Sequence, residues 1–235
     1  MHDDPDDAAA MAARYARRAS VAARDRVSLP VVQCMLLERQ RAVQRLLLRC
    51  GWHDASQRHV VEVGCGDGGN LKHLLTLGFA ACNLAGIDIL PEREALARAA
   101  LPREVALSTG DAATAAIAPE SQDLVLQFTV FSSLLQTATR HRMAAAMWSW
   151  LRPGGAVLSY DFAFASPGNP DVRKLTLSEL KELFPSGLVK HVEPVTLAPP
   201  LARVLCRISP SLYGLANRAA WLRTHRLVWI EKPPA

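Results

Sequence analysis

From residue 60 the chain alternates between short apolar runs and amphipathic stretches. Val60, Val61 and Val63 form a β-branched run that reads as a buried strand. Leu71, Leu74 and Leu75 follow at helical spacing, on one face of a helix that starts at Gly69 and ends near Leu77-Gly78. The alternation then repeats. Residues 84–89, 104–108 and 121–128 read as strands, and Pro91 opens a helix over Glu92 to Ala100. Ala138 to Leu151 reads as a helix with Met143, Met147, Trp148 and Trp150 toward the core, and Ala156 to Tyr160 as the fifth strand. Strand and helix taking turns predict an α/β fold with a parallel sheet.

Upstream, Pro30 can open a helix running to about Cys50, ended by Gly51. In it Leu36, Val43, Leu47 and Leu48 face the core, while Glu38, Arg39, Arg41 and Arg45 face water. Arg14 to Arg26 is basic and suits a short helix. Downstream, Thr176 and Glu179 make a capping box for a helix ending at Phe184. Leu188 to Leu197 and Arg226 to Glu231 read as strands six and seven. Between them residues 198–225 form a long apolar and basic excursion, broken in two by Pro210. It admits three readings: a helical pair roofing a substrate pocket, a homodimer face, or a basic amphipathic element resting on a membrane.

The length of 235 residues fits one α/β domain with additions. The expected division is a helical cap over residues 1–50 and a main domain over 51–235, the excursion inserted in it. Formal net charge is +5, yet four aspartates stand in the first seven residues, so the rest of the chain carries 27 basic against 18 acidic residues. The arginines are spread singly along helices, which suits solvated helix faces better than a nucleic-acid platform. Five cysteines without a C-x-x-C pair suggest neither a disulfide framework nor a zinc site, so no metal is expected. An acidic start lacks a signal-peptide pattern, and no apolar run reaches the roughly 18 residues of a membrane span. A cytoplasmic location is the expectation.

The chemistry starts in the turn after the first strand. Gly64, Gly66 and Gly69 fit G-x-G-x-x-G, which alone is weak evidence for a dinucleotide site. Glycines admit a ligand to the backbone, and the helix start offers unpaired N–H donors. Glu62 stands two residues before the first glycine, and Asp67 inside the turn. Two carboxylates oppose a pyrophosphate and favour a cation. The stretch Glu62-Val63-Gly64-Cys65-Gly66-Asp67-Gly68 resembles motif I of the class I methyltransferases, E/D-x-G-x-G-x-G, whose cofactor is S-adenosyl-L-methionine, a sulfonium without phosphate. Asp88 lies 24 residues after Gly64, about the spacing at which an acid meets a ribose diol, and Ile89 would flank adenine. That spacing does not separate this cofactor from NAD(P).

The resemblance implies a Rossmann-like seven-stranded methyltransferase sheet with helices on both faces and an antiparallel last strand. It also implies roles. Gly110-Asp111-Ala112 would meet the adenine amino group, and Asn70 and Cys65 complete the cradle. Gln127, Phe128 and Thr129, at the end of strand four, would stand beside the methionine half. Many relatives carry a histidine in the turn that follows; here it is Phe131-Ser132-Ser133, without a titratable base. Leu151-Arg152-Pro153-Gly154-Gly155 matches a frequent family stop before strand five. The candidate bases are Asp161 first and His225 second. Tyr160, Asn169 and Arg173 are candidate acceptor contacts, and Tyr15 would cover the methionine end from an N-terminal segment. Tyr15, Phe128 and Tyr160 could face the sulfonium by cation–π attraction. The expected reaction is methyl transfer to an oxygen or nitrogen of a small molecule in natural-product or glycan biosynthesis. Two alternatives stay open: an NAD(P)-dependent oxidoreductase, and a non-catalytic module that binds S-adenosylmethionine. A nucleic-acid acceptor is not expected, because the N/D-P-P-Y/F tetrad is missing from strand four.

Overall fold

A computed structural model of the chain describes residues 29–165 and 171–234. The first helix, α1 (Leu29–Arg49), precedes β1 (Val60–Val63) and α2 (Gly69–Thr76). Then come β2 (Leu84–Asp88), α3 (Pro91–Ala100), β3 (Ala106–Thr109), β4 (Gln122–Phe128), α4 (Thr137–Trp150) and β5 (Leu151–Phe162). The chain ends through α5 (Leu177–Leu183), β6 (Leu188–Leu197), α6 (Pro199–Ile208), α7 (Pro210–Ala216) and β7 (Arg223–Glu231). The seven strands form one sheet in the order β3-β2-β1-β4-β5-β7-β6. The first five are parallel, and β7 runs antiparallel between β5 and β6. Strand order reverses between β1 and β4, and at such a switch point the loops part and leave a crevice at the carboxyl edge.

The two faces of the sheet carry separate cores. Val60, Leu126, Phe128, Leu158 and Tyr160 belong to one cluster, packed by Val43, Leu46 and Leu47 of α1 and Leu71 and Leu74 of α2. Val61, Val63, Val125, Val157 and Val228 belong to the other, packed by Met143 and Met147 of α4 and Leu180 of α5. Because side chains alternate along a strand, Glu62 shares the α1 face with Phe128 and Tyr160. Gln127, Ser159 and Asp161 fall on the α4 face.

Several boundaries differ from the sequence reading, for physical reasons. In α1 the buried residues are Ala42, Val43, Leu46 and Leu47, while Leu36 and Leu48 are exposed. Glu38 and Arg39, expected in water, are half-buried. Strand β5 starts at Leu151, so the Pro-Gly-Gly run is a bulge within it rather than a stop. Leu151 pairs with Gln122 and Ala156 with Leu124. Gly154, at φ 77°, turns the intervening residues out, and Gly154 N–H and Gly155 C=O then bond Lys232. Thr176 caps α5 as expected, accepting from Glu179 N–H at 3.1 Å.

The excursion after β6 is the helical pair α6 and α7, broken at Pro210. It packs on the start of α1 through Val31, Leu197, Ala202, Cys206 and Tyr213. Glu38 of α1 ties the arrangement: it accepts from Thr196 N–H at 2.8 Å and from the Tyr213 hydroxyl at 2.6 Å. The pair therefore stands at the carboxyl edge of the sheet, beside the crevice. No helix of the described residues is long and apolar enough to cross a membrane.

Candidate cofactor and active site

The turn after β1 is shaped by three left-handed glycines, Gly64 (φ 69°), Gly66 (φ 57°) and Gly68 (φ 79°). A Cβ on Gly64 would stand 2.6 Å from Val130 Cγ2, and one on Gly68 2.6 Å from Leu101 Cδ1. The third strained position is thus Gly68, not the Gly69 of the fingerprint. Cys65 turns its thiol into the core against Gly86, and burial pushes it up to about 12, so what it offers a ligand is backbone. The turn is braced from β2. Gly64 N–H and Cys65 N–H donate to the Ile87 carbonyl at 2.8 and 3.0 Å. Asp88 accepts from Gly66 N–H at 2.8 Å and from Leu90 N–H at 3.0 Å. Each of its oxygens keeps lone-pair capacity for a further donor. Asp67 is exposed and closes a local turn onto Gly69 N–H at 3.2 Å.

Beneath the turn lies a buried polar network. Glu62 is fully buried, with Oε1 accepting from Asn70 Nδ2 at 2.5 Å. Its other oxygen, Oε2, has no hydrogen-bond partner among the described residues. Burial pushes the Glu62 carboxyl up to about 8. Asn70 Oδ1 accepts in turn from Arg39 Nη2 at 3.0 Å. The Arg39 guanidinium lies 5.3 Å from the Phe128 ring centroid and 5.2 Å from that of Tyr160. Those rings, expected to face a sulfonium, therefore already hold a cation. Arg39 is a residue the sequence reading missed. Its signal was present: Val43, Leu46 and Leu47 follow at four, seven and eight residues, which puts Arg39 on the apolar stripe.

Residues 60–155 match the methyltransferase domain family. An S-adenosylmethionine-dependent methyltransferase from Mesorhizobium loti superposes with a TM-score of 0.56 at 16% identity, covering 80% of this chain and 96% of that one. Another from Archaeoglobus fulgidus gives 0.58 at 15%, covering 82% and 94%. The [4+2]-cyclase SpnF gives 0.60 at 16%, covering 83% and 81%. No curated protein matches the chain. The match and the superpositions show a shared fold, with the family match confined to residues 60–155. Two of those proteins are S-adenosylmethionine-dependent, and the residues here fit that cofactor. The glycine turn lets a ligand reach the backbone, and the unpartnered Glu62 oxygen suits a cation.

The sheet brings the four acids to its carboxyl edge, but not as equals. Glu62 is buried under the turn, Asp67 points outward and Asp88 braces the backbone. Asp111 follows β3, caps the turn Ala112–Thr114 through Ala113 N–H at 2.9 Å, and pairs with Arg142 at 3.0 Å. Ala112 is buried, and Ile89 half-buried just past Asp88.

Gln127 departs from expectation. Its side chain lies on the α4 face, where Nε2 donates to Ser159 Oγ and Oε1 accepts from Val130 N–H and Phe131 N–H. It holds the turn Phe131–Ser133 from the face opposite Glu62 and Phe128. Thr129 next to it adopts φ 61°, costly for a β-branched residue. Its N–H donates to the Tyr160 carbonyl at 2.7 Å, and its own carbonyl takes the hydroxyls of Ser132 and Ser133. The turn without a base is thus an ordered hydroxyl cluster.

The two candidate bases stand on opposite faces, because β5 alternates and His225 pairs with Phe162. Asp161 is buried and accepts from Ser132 N–H at 3.1 Å and Phe162 N–H at 2.9 Å; burial pushes it up to about 6. A cavity beside it is lined by Ser159, Leu175, Thr176, Leu180 and Arg226. His225 is stacked on Tyr160, centroids 4.9 Å apart, and burial pushes it down to about 4, so it is neutral. The Tyr160 hydroxyl is engaged by Thr196 Oγ1 at 2.7 Å. Arg173 does not face a ligand either. It bonds the Leu135 carbonyl at 2.9 Å, Thr137 Oγ1 at 3.1 Å and Glu179. Tyr15 and Asn169 lie outside the described residues.

Proposed function

We propose that this chain transfers a methyl group from S-adenosylmethionine to an oxygen or nitrogen of a small molecule, in natural-product or glycan biosynthesis. The observation that carries the cofactor half is Glu62: a fully buried carboxyl with one unpartnered oxygen, under a glycine turn, in a segment that matches the methyltransferase domain family. A cationic ligand would draw out its ionised form, whereas a pyrophosphate would oppose that form, which disfavours the NAD(P) alternative. When bound, the cofactor supplies an electrophilic methyl carbon and a thioether leaving group.

The protein's own part is to bind, orient and dry the site. Asp88 accepts from the ribose hydroxyls while keeping the Gly66 turn in place. Helices α1, α6 and α7 form the cap that closes the crevice, and an acceptor enters on the α4 side, beside Asp161. With its carboxyl near 6, Asp161 is ionised at neutral pH yet able to take a proton from an acceptor hydroxyl or ammonium. His225 is too weak a base for that work. A homodimer through the outer surface of α6 and α7 and a cytoplasmic location are compatible with this reading.

Calorimetry with S-adenosylmethionine and with NADH tests the cofactor, and S-adenosylhomocysteine release over a panel of hydroxyl and amine acceptors tests the reaction. NADH binding without S-adenosylmethionine binding would sink the proposal. Tight cofactor binding with no product from any acceptor would favour the non-catalytic module. The Asp161→Asn variant should lose turnover and the pH limb near 6 while keeping cofactor affinity.

A further inference from the structure

Two thiols meet at the seam between α1 and the helical pair. On α1, Val31, Cys34 and Glu38 follow one another at three and then four residues, which puts them on one face of the helix. That face turns toward α6 and α7. Val31 packs with Ala202, Cys206 and Tyr213, and Cys34 packs against that cluster. Glu38 accepts from the Tyr213 hydroxyl at 2.6 Å. On α6, Ala202 and Cys206 are four residues apart and both buried, while Arg203, Val204, Arg207 and Ile208 are exposed. The inner stripe of α6 thus carries a small residue and a thiol, and the small residue lets the two helices approach closely. Cys34 Sγ stands within hydrogen-bonding reach of the Cys206 thiol; burial first, and Cys34 second, push that thiol up.

We infer that Cys34 and Cys206 are a reversible disulfide pair, closed by a peroxide, that bolts α6 to α1. The order of steps follows from exposure. Cys34 is half-buried and Cys206 buried, so Cys34 meets the oxidant first. Its thiolate attacks one oxygen of hydrogen peroxide. A sulfur–oxygen bond forms, the oxygen–oxygen bond breaks, and the departing hydroxide takes up a proton as water. The Cys206 sulfur then attacks the Cys34 sulfur and gives up its proton. The sulfur–sulfur bond forms, and the second oxygen leaves as water. Two thiols are oxidised and one peroxide is reduced to two waters. A dithiol reverses the bond by exchange. Running from residue 34 to residue 206, the bond closes most of the chain into one loop, and closing a long loop restricts the unfolded chain strongly. Cys34 also lies five residues before Arg39, on the helix that packs over the glycine turn. Bolting that helix to α6 holds the cap shut, so S-adenosylmethionine leaves more slowly. This last consequence rests on the cofactor reading above; the bond itself does not.

The test treats the full chain with hydrogen peroxide, blocks the remaining thiols, digests without reduction and maps the peptides by mass spectrometry. A Cys34–Cys206 cross-link should appear within one chain and vanish with dithiothreitol. Cys82, exposed with its thiol on Asn83 Oδ1, reports simple access of the oxidant. Oxidised wild type should melt about 5–15 °C above the reduced protein, a rise absent from Cys34→Ser and Cys206→Ala. Circular dichroism checks that both variants fold, and the half-buried Cys34→Ser keeps the test open if Cys206→Ala does not. Stopped-flow release of S-adenosylmethionine should slow about tenfold on oxidation of the wild type and not of Cys34→Ser. Oxidation of Cys82 with no bond between residues 34 and 206 would make the two thiols packing groups only and overturn the inference. A cross-link that leaves release unchanged would overturn the hold on the cap. Wild type that does not bind S-adenosylmethionine sinks the cofactor reading instead, and the bolt is then decided by the cross-link and the melting shift.

Discussion

The two faces of the sheet meet the same carboxyl edge in opposite states. On the α4 face the polar groups are closed upon one another. Gln127 spends its amide on Ser159, Val130 and Phe131. Arg140, with no exposed surface, bonds the Leu134 carbonyl at 2.8 Å, Glu179 at 2.7 Å and the Arg173 carbonyl at 3.1 Å. On the α1 face the Arg39–Asn70–Glu62 network is left open at both ends. A closed network rigidifies a fold, whereas an open buried one is tolerated where a ligand completes it. Mutations on the two faces should therefore separate stability from binding.

The largest expected effect lies on the closed face. Arg140→Met removes a buried cation and leaves Glu179 with Arg173 alone, besides stranding the carbonyls of Leu134, Arg173 and Lys174. Breaking a buried charged network in this way costs about 3–5 kcal/mol of stability. Urea unfolding should show that loss, while a sample kept folded by low temperature binds S-adenosylmethionine with unaltered affinity. A loss of affinity without loss of stability would mean that this face, too, serves the ligand.

Glu62→Gln should do the reverse. Cofactor affinity should fall by about 1.5–3 kcal/mol, the worth of a hydrogen bond to a charged group. The empty protein should not be weakened, and its pH dependence gives the sign. Burial raises the Glu62 carboxyl from 4.5 to about 8, so the folded chain holds its proton longer than the unfolded one. Stability is then full below 4.5 and lost as pH rises through 8. Glu62→Gln removes that decline, so its melting temperature should gain on the wild type as pH rises across the window. Parallel melting curves at all pH values would contradict the buried, unpartnered state of the carboxyl.

Asp88→Ala tests a residue that straddles the division. Its loss should weaken cofactor affinity by about 1–3 kcal/mol, and, because it also braces Gly66 and Leu90, should cost stability as well. Asp88→Asn, which keeps one accepting oxygen, should recover part of the stability and little of the affinity. Full affinity in a folded Asp88→Ala would remove the ribose assignment.

What the sequence made legible follows from which signals are local. The strand–turn–helix at residues 60–76, the order of elements and the break at Pro210 are written in runs of neighbouring residues. The network facing the turn is not. Arg39 and Glu62 come near each other only because α1 packs on the sheet, and the sequence reading turned Arg39 to water although its spacing from Val43, Leu46 and Leu47 puts it on the apolar stripe. Gln127 was misplaced for a related reason. Its position at the end of β4 marks the ligand edge, but strand alternation turns its side chain to the far face. Asp161 and His225 were paired as bases by their nearness to that edge, and the same alternation sends them to opposite sides. The Pro-Gly-Gly run was taken as a stop because a bulge needs its partner strand to be seen.

His225→Phe should have the smallest effect, and it sharpens the comparison because His225 lies on the open face without belonging to the open network. The imidazole stacks on Tyr160, lies 4.1 Å from Phe162 by centroids, and makes one contact of 3.1 Å to Thr224 Oγ1. A phenyl ring keeps the stacking and loses that contact, about 1 kcal/mol for a neutral hydrogen bond. It also removes a titration. Burial lowers the imidazole from 6.5 to about 4, so the unfolded chain takes up a proton first, and stability is lost as pH falls through that window. His225→Phe should therefore be slightly less stable than the wild type at neutral pH and close that gap as the solution is acidified. Turnover should stay within about twofold, because a neutral, stacked imidazole has little basicity to contribute. A collapse of turnover with cofactor affinity intact would move the general base from Asp161 to His225, and with it the acceptor from the α4 face to the α1 face.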